Sequence, residues 1–430
     1  MPQTVALRLY VLLFFLVSSI ANSADFEEPS AILRTEDAIG FAFNTRGSLA
    51  VDSRDHACAA YYIADDVSKP PQNRIWLIDI SGGDPSSPVR IDHAPTGGGR
   101  HPKIAFDAAG ILHAVWQDYR HVTAGGNYID NVEIFYNRRP TGGVFPSEDI
   151  RISHTNAGHK GDNGFLPQIA IGANGRVHIA WYDFTASGNN AEIYLRSSGG
   201  AGEFPDQIGI DNFRVTTIDS ADDLVSHWMP DAAALPGGEV YIVWGVQQGF
   251  QGIFPLQGRS IAQDRTLGAI ETIAEQGGSF LDPPRLAADK VGNLGLIYTI
   301  RSEGMNSICF QYRPREGVWS NPAFINETGA DSSQPCLAFD MNGTVHLVWQ
   351  EDMGGIYQVR YALLDPTDFT IRSRKPLSLK NADARTPAIA INPITDRIHC
   401  AWIERNDEGE RTIVYLREQE TKVEDWRLFD

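Results

Sequence analysis

One pattern recurs seven times along the 430-residue chain and constrains the fold more than any other feature. Six copies carry Pro-x-x-Ala, and an earlier copy without Pro runs from Gly47 to Ala50. An aromatic residue follows each anchor at a nearly constant offset: Tyr61, Trp116, Trp181, Trp244, Tyr298, Trp349 and Trp402. Self-similarity at a period of roughly 50–60 residues is typical of propellers and other repeat architectures.

Each copy has the pattern of four short strands separated by turns. The segment from Val177 to Trp181 is apolar on one face and small or semi-polar on the other, so both faces need cover. Stacking such sheets around an axis provides that cover. We therefore predict an all-β fold: a single seven-bladed β-propeller of four-stranded antiparallel blades, spanning residues 24–430. The blades are expected to start near residues 47, 101, 166, 229, 283, 334 and 386.

The N-terminal segment has the pattern of a targeting signal. Arg8 precedes an apolar run, and Ala21 and Ser23 are small residues at the positions that a signal peptidase reads. Residues 1–23 are therefore predicted to be a cleaved signal peptide, which makes the protein secreted or periplasmic. The apolar run is too short to span a bilayer, so no membrane insertion is expected. Within residues 24–46, residues 31–34 are predicted to pair with the last blade and close the ring.

Charge and cysteine content narrow the classes of partner. The formal net charge is −18, which disfavours nucleic acid and anionic membrane surfaces as partners. Four cysteines are too few for a disulfide scaffold, and they fall in apolar runs that favour buried thiols, although one bridge is compatible with the sequence: Cys58, Cys309, Cys336 and Cys400. No tight metal-ligand motif is present. No cofactor and no metal site are predicted. A divalent metal held by His101, Asp118 and the loop histidines stays an open alternative; these histidines are His121, His154, His159 and His227.

The residue pattern of the repeat resembles that of the sialidase-like propellers with Asp-box (BNR-type) repeats. The phrase Pro-x-Ile-Ala, then Gly-x-Val-His-x-x-Trp-x-Asp, then Ile-Tyr carries the resemblance over nearly all of residues 24–430. The Asp box expected between strands three and four is eroded, as at residues 138–145. The resemblance implies a propeller fold. It does not imply sialidase activity, because the Arg-Ile-Pro motif is absent and sialidases have six blades.

Candidate site residues gather where the first strand of each blade starts and the second ends, which we call the top face. Four residues are candidate catalytic groups: His101, Asp118, His227 and Asp282. Six are candidate ligand-binding groups: Arg100, Arg120, Asp183, Trp228, Arg301 and Arg385. Asp118 and Asp183 share one repeat position with Glu351 and Glu404, which favours a role in orienting the loop. The repeated His113, His178, His346 and His399 favour structural packing.

The candidate residues fit more than one chemistry. Arg100, Arg301 and Arg385 could hold a carboxylate, such as that of a uronate, through bidentate bonds. His101 or His227 would then serve as the base of a lyase. Asp118 with Asp183 or Asp282 could instead supply the carboxylate pair of a glycosidase, and Trp228 could stack on a sugar ring.

Three hypotheses follow, of which the sequence favours the first. The first is an exported propeller that binds carbohydrate or another extracellular ligand on the top face without catalysis. The second is a lyase or glycoside hydrolase that acts on an acidic polysaccharide. The third is a scaffold for protein–protein contacts in the cell envelope.

Overall fold

The computed structural model describes most of the chain. The described residues are 24–35, 39–40, 48–63, 72–122, 131–153, 164–184, 190–200, 202–204, 213–216, 225–248, 254–277, 282–302, 304–327 and 329–419. The predicted signal peptide and the predicted start of the first blade at residue 47 lie outside them. Regular structure within these residues consists of strands, which form seven antiparallel sheets. The predicted fold class, an all-β propeller with seven blades, is confirmed.

The strands of blades two to six run in chain order. Blade two comprises Gly99–Phe106, Leu112–Asp118, Glu133–Arg139 and Ile150–Arg151. Blade three comprises Gly164–Ile171, Val177–Asp183, Glu192–Ser197 and Phe213–Arg214. Blade four comprises Val225–Ala234, Val240–Gln248, Leu256–Ile261 and Glu271–Ala274. Blade five comprises Arg285–Ala288, Leu294–Ser302, Met305–Arg313 and Ala323–Phe324. Blade six comprises Ser332–Phe339, Val345–Asp352, Tyr357–Leu364 and Ile371–Pro376.

The ring closes through the two ends of the chain. Blade seven comprises Asp383–Ile391, Ile398–Arg405 and Arg411–Arg417, and its outer strand is the N-terminal segment Ser30–Thr35, which pairs antiparallel with Arg411–Arg417. Blade one comprises Ile39–Gly40, Leu49–Val51, Ala57–Ile63, Arg74–Ser81, Asp84–Pro85 and Val89–Arg90. The pairing of Ser30–Thr35 with Arg411–Arg417 holds the two ends of the chain together within blade seven and so closes the ring.

The first strands of consecutive blades contact one another in a closed cycle and line a central cavity of about 280 Å³. The apolar core lies between the blades. Each of seven buried apolar clusters joins two neighbouring blades, one at each junction of the ring. The repeated tryptophans are completely buried in these clusters: Trp116, Trp181, Trp244, Trp349 and Trp402. Burying a large aromatic side chain contributes about 2–3 kcal/mol, so the repeat is explained mainly by packing.

The turns between first and second strands form the opposite side of the disc, which we call the bottom face. In five blades the turn begins with an acidic or amide residue whose side chain accepts backbone N–H groups within the turn: Asp52, Asp107, Asp289, Asp340 and Asn392. Asp and Asn suit such turns because their short side chains reach the backbone two residues later.

The four cysteines are buried free thiols, one in each of blades one, five, six and seven. The structure therefore agrees with the reading of buried thiols. No helix among the described residues is long and apolar enough to cross a membrane.

Candidate functional site

The strand register brings the predicted top-face residues to one edge of the blades. Gly99 pairs with Asp118, and Gly164 pairs with Asp183. In blade seven, Ala384 pairs with Glu404 in the same way. The start of each of these first strands therefore lies beside the end of the second strand.

A backbone irregularity repeats at the start of the first strand in five blades. The residue before the anchoring proline has a positive φ, and the strand carries a bulge there. These residues are His101, Leu166, Met229, Gln334 and Thr386. A positive φ is uncommon for residues other than glycine, so five copies indicate that the fold enforces it.

Side chains of the preceding blade stabilise this irregularity. The Gln117 side-chain oxygen accepts the N–H of Leu166 at 3.1 Å, and that of Gln350 accepts the N–H of Thr386 at 2.9 Å. Both glutamines directly follow the repeated tryptophan. They bond one blade to the next at the top face.

Asp282 performs the same task in blade five. The residue after the repeated aromatic is Thr299 there, and Asp282 accepts the N–H of Gln334 in blade six at 2.9 Å while Thr299 donates to it. Burial raises the pKa of Asp282 to about 6, although Thr299 and the Gln334 N–H act to lower it. Asp282 breaks the repeat in sequence, and in the structure it satisfies a backbone group that glutamine satisfies elsewhere.

The candidate base His101 is buried at the junction of blades one and two. Its ring lies 5.6 Å from that of Tyr62, and its side chain is almost inaccessible to solvent. Burial, together with the positive charges of Arg100 and Lys103, lowers the pKa of His101 to about 3. This imidazole is therefore neutral at neutral pH and binds a proton weakly.

His227 is buried at the junction of blades three and four. Its Nδ1 lies 3.2 Å from the carboxylate of Glu192, to which Thr216 also donates a hydrogen bond. These hydrogen bonds hold the pKa of Glu192 below its ordinary value although burial acts to raise it. His101, His227 and Asp282 thus contact neighbours at three different blade junctions.

The repeated carboxylates two residues after the tryptophan accept its indole N–H. The bond is 2.8 Å for Asp118 and 3.2 Å for Asp183, and Glu351 and Glu404 accept in the same way. Asp118 also accepts three bonds from Arg120, whose guanidinium reaches Asp149 at 2.8 Å as well. The structure gives Asp118 and Asp183 the orienting contacts that their shared repeat position favoured, and the candidate ligand-binding residue Arg120 bonds Asp118 and Asp149.

The three arginines predicted to hold a carboxylate belong to different parts of the ring. Arg100 of blade two lies between the rings of Tyr62 and Tyr119, at 5.8 and 5.9 Å. Arg385 of blade seven bonds Asp383 at 2.9 Å and lies 4.1 Å from the ring of Tyr357. Arg301 of blade five is exposed. The three arginines thus have different surroundings, and Arg100 lies beside tyrosine rings of blades one and two.

A row of aromatic side chains follows the top face across blades one to four, and we call it the aromatic arc: Tyr62, Tyr119, Phe165, Tyr182, Phe184 and Trp228. Tyr182 lies 4.9 Å from Trp228 and 5.4 Å from Phe165, which in turn packs on the apolar cluster of Tyr119. Arg100 connects Tyr119 to Tyr62. Trp228, the tryptophan that the repeat did not explain, is half-buried here.

Sequence reasoning named Trp228 and Arg100 but missed the rest of the arc. A signal was available, because Tyr62 and Tyr182 occupy the position directly after the repeated aromatic residue, which is Gln117 or Gln350 in other blades. Tyr62 and Tyr182 therefore depart from the repeat in the same way, with an aromatic side chain where blades two and six have glutamine.

On the bottom face, the repeated histidines are buried and contact neighbouring side chains. His113, His346 and His399 each place Nδ1 on the hydroxyl of a tyrosine and Nε2 towards a turn aspartate; these tyrosines are Tyr136, Tyr361 and Tyr415, and the aspartates are Asp107, Asp340 and Asp55. Burial raises the pKa of all three tyrosines. We call these groups the Asp–His–Tyr bridges. Burial and repetition identify them as packing, as predicted.

Donors suited to a metal ion meet at one place among the described residues, where His56, Cys58 and Asp79 come together on the bottom face. None of them was a candidate from the sequence. His154 and His159, which belong to the loop histidines considered for a metal, lie outside the described residues.

Comparison with known proteins gives similarity of fold. No family model matches the chain, and no curated protein matches it. A crystal structure of a protein of unknown function from Dyadobacter fermentans is similar at 14% identity, over 92% of this chain and 99% of that one, with a TM-score of 0.53. The polysaccharide lyase Uly1 is similar at 11% identity, over 93% and 92% of the two chains, again with a TM-score of 0.53.

An ulvan lyase bound to -[GlcA(1-4)Rha3S]- is also similar, at 10% identity over 89% of this chain and 95% of that one, with a TM-score of 0.53. Sialidases occur among the similar structures at TM-scores below 0.5. The structures with TM-scores of 0.53 show a shared fold, and the propeller that the predicted resemblance implied is confirmed by the seven sheets of this chain.

Proposed function

We propose that this protein is exported and binds a uronate-containing polysaccharide along the aromatic arc, with Arg100 contacting the sugar carboxylate. The observation that carries the proposal is the continuity of the arc over four blades, with a guanidinium held between two of its rings. Aromatic faces bind the apolar faces of sugar rings, and a guanidinium binds a carboxylate bidentately.

The accessibility of the arc supports a binding role. Tyr62, Phe165, Phe184 and Trp228 are half-buried, so part of each ring remains available to a ligand. Rigid aromatic side chains lose little conformational entropy on binding. An extended row of such rings fits a chain of sugars better than a single small molecule.

The candidate catalytic groups support binding over catalysis. A buried His101 with a pKa of about 3 is a weak base, whereas an effective general base has a pKa near the working pH. Asp118 and Asp183 are each held by an indole, and Asp282 is engaged by Thr299 and Gln334. The groups proposed for chemistry thus have other partners.

The negative net charge makes the proposed binding depend on salt concentration. A chain at −18 repels an anionic polysaccharide at long range, while Arg100 attracts its carboxylate at contact. Salt screens the long-range repulsion more than the partly buried contact. Binding is therefore expected to hold or strengthen between low and physiological ionic strength.

A panel of neutral and uronate-containing polysaccharides tests the proposal by calorimetry or a glycan array. Trp228→Ala and Arg100→Gln are expected to weaken binding about tenfold or more each, which corresponds to about 1.4 kcal/mol. The matched control is Trp319→Ala, because Trp319 is a half-buried tryptophan at the turn after the third strand of blade five, on the bottom face. Binding that persists unchanged in both arc variants would contradict the proposal.

A second candidate function is eliminative cleavage of such a polysaccharide. It is supported by the shared architecture with two polysaccharide lyases over about nine-tenths of both chains, and by the two imidazoles on the top face. The same panel distinguishes the two functions: new ultraviolet absorbance from unsaturated uronates, lost in His101→Ala or His227→Ala, would favour the lyase. Binding without that absorbance would favour the non-catalytic function.

Export is tested separately by N-terminal sequencing of the protein recovered from the medium or periplasm. We expect the mature chain to begin at Ala24. A chain that begins at Met1 in the cytoplasm would contradict export and leave the top-face binding proposal to be judged by the glycan panel.

A further inference from the structure

Three side chains with metal-binding atoms meet at the bottom of the junction between blades one and two. The ligand atoms of His56, Cys58 and Asp79 all lie within 4.8 Å of one another. They are separate from the proposed carbohydrate site, since they lie on the opposite face of the disc from the aromatic arc.

The fold places these residues together through strand geometry. Cys58 occupies the repeat position that holds histidine in His113 and three further blades. His56 lies two residues earlier, directly before the strand Ala57–Ile63, and its Nε2 is 3.1 Å from the Asp79 carboxylate. Asp79 is the direct partner of Cys58 on the adjacent strand. Two residues spaced by two and one cross-strand partner form a compact group of donors.

The distances between the donors fit a small ion. An Asp79 carboxylate oxygen lies 3.0 Å from Cys58 Sγ and 3.1 Å from His56 Nε2. In a tetrahedral zinc site with bonds of about 2.0–2.3 Å, the donors are about 3.3–3.7 Å apart. Movements of less than about 1 Å would therefore bring this group to coordination geometry.

The guanidinium of Arg139 now provides the positive charge at this place. It bonds the two Asp79 oxygens at 2.7 and 2.6 Å, and Nη2 lies 3.4 Å from Cys58 Sγ. Although burial acts to raise it, the bonds from His56 and Arg139 hold the pKa of Asp79 well below its ordinary value. The Phe145 ring, 5.7 Å from the guanidinium, offers Arg139 a second position when a metal ion replaces it.

We propose that His56, Cys58 and Asp79 bind a divalent transition-metal ion of the zinc class, in competition with the Arg139 guanidinium. Nitrogen and sulfur donors select Zn²⁺ or Co²⁺ over Ca²⁺ and Mg²⁺, which prefer oxygen. The side chains of His56 and Asp79 are 25% and 23% exposed, so an ion can enter from solvent. Binding removes the Cys58 thiol proton, and affinity is therefore expected to rise with pH.

Titration of the purified protein with Co²⁺ tests this site, because a thiolate–cobalt bond gives charge-transfer absorption that oxygen and nitrogen ligands do not. We expect one equivalent to bind with this absorption. Cys58→Ser should abolish the absorption, and Asp79→Asn or His56→Asn should weaken binding at least about tenfold. Arg139→Gln should tighten binding, since the competing cation is removed.

Cys309→Ser is the matched control, because Cys309 is a buried thiol of another blade, and its titration should equal that of the unmodified protein. The absence of charge-transfer absorption at millimolar Co²⁺ would overturn the proposal, as would absorption that survives in Cys58→Ser. If Cys58→Ser fails to fold, the partly exposed His56 decides: unchanged affinity in His56→Asn overturns the site.

Discussion

The two faces of the disc hold histidine, aspartate and tyrosine side chains in different ways. On the bottom face these residues repeat, and His113, His346 and His399 are enclosed between a tyrosine hydroxyl and a turn aspartate. On the top face, in blades one to four, aromatic residues instead form a continuous arc in which four of the six rings are half-buried. Groups that recur from blade to blade thus stabilise the ring, whereas the aromatic groups that break the repeat leave surface for a ligand.

Asp282 is an exception to this contrast between repeated and non-repeated residues. It breaks the repeat, yet its buried carboxylate bonds one blade to the next. Departure from a repeat therefore identifies either a ligand site or a local repair of the repeat itself. Partners and exposure separate the two cases, because a repair is buried and bonded to neighbouring strands, as Asp282 is to Thr299 and Gln334.

The largest expected effect concerns ring closure on the bottom face. Asp55 accepts bonds from Asn392, Arg397 and His399 across the junction of blades one and seven. Asp55→Ala leaves these groups without their acceptor, and we expect a loss of about 3 kcal/mol in the free energy of unfolding, measured by urea denaturation. Arg54→Ala, which removes an exposed partner of Asp52, should change it by less than about 0.5 kcal/mol. Equal effects of the two variants would contradict the proposed role of the closure.

The next effect is a pH dependence caused by Asp282. Its pKa is about 6 in the folded protein against an ordinary value of 3.8, so the folded state binds the proton more tightly. The corresponding stability is present below about pH 4 and is lost as pH rises through 6, by about 2–3 kcal/mol in total. Asp282→Asn should remove this part of the pH profile, because asparagine does not titrate. The substitution keeps an oxygen that can accept the Gln334 N–H.

Urea midpoints between pH 4 and 7 provide the measurement for Asp282. Asp368→Asn is the control, since Asp368 is exposed on the surface of blade six. A profile in which Asp282→Asn and the unmodified protein decline in parallel would show that another group titrates.

A smaller loss is expected from one Asp–His–Tyr bridge. His346→Phe keeps much of the ring volume but leaves the buried Tyr361 hydroxyl without its imidazole partner. We expect about 1–2 kcal/mol of destabilisation by thermal or urea unfolding, with glycan binding unchanged. Weakened glycan binding in a variant that remains folded would remove the distinction between the two faces.

The smallest effect on stability is expected at the top face. Arg100 is half-buried beside two tyrosine rings, and Arg100→Gln should lower the free energy of unfolding by less than about 1 kcal/mol while it weakens glycan binding. Arg301→Gln alters an exposed arginine of blade five, away from the arc, and should leave both unfolding midpoint and binding unchanged. Binding that depends on Arg301 instead would place the site at blade five, outside the arc.

Several site assignments could be predicted from the repeat. The position shared by Asp118 and Glu404 indicated a structural carboxylate, and both accept the indole N–H of the tryptophan two residues earlier. Likewise, the recurrence of His113 and His399 indicated packing. A residue fixed by the repeat has an equivalent place in the fold from blade to blade, so its role can be inferred from its recurrence.

The aromatic arc and the His56–Cys58–Asp79 group could not be predicted in this way. Tyr182 and Trp228 are 46 positions apart in sequence and meet only because consecutive blades are adjacent. Asp79 reaches Cys58 because the strand register places them opposite each other, and the three-residue group has no local motif.

The sequence by itself determined the number of blades, the position of the buried tryptophans and the all-β class, because these follow from periodicity and from burial on both faces of each strand. Only the tertiary structure decided which irregular residues join blades and which face solvent. The physical reason is that such contacts form between blades, where partners are set by the register and curvature of the ring and have no fixed spacing in the chain.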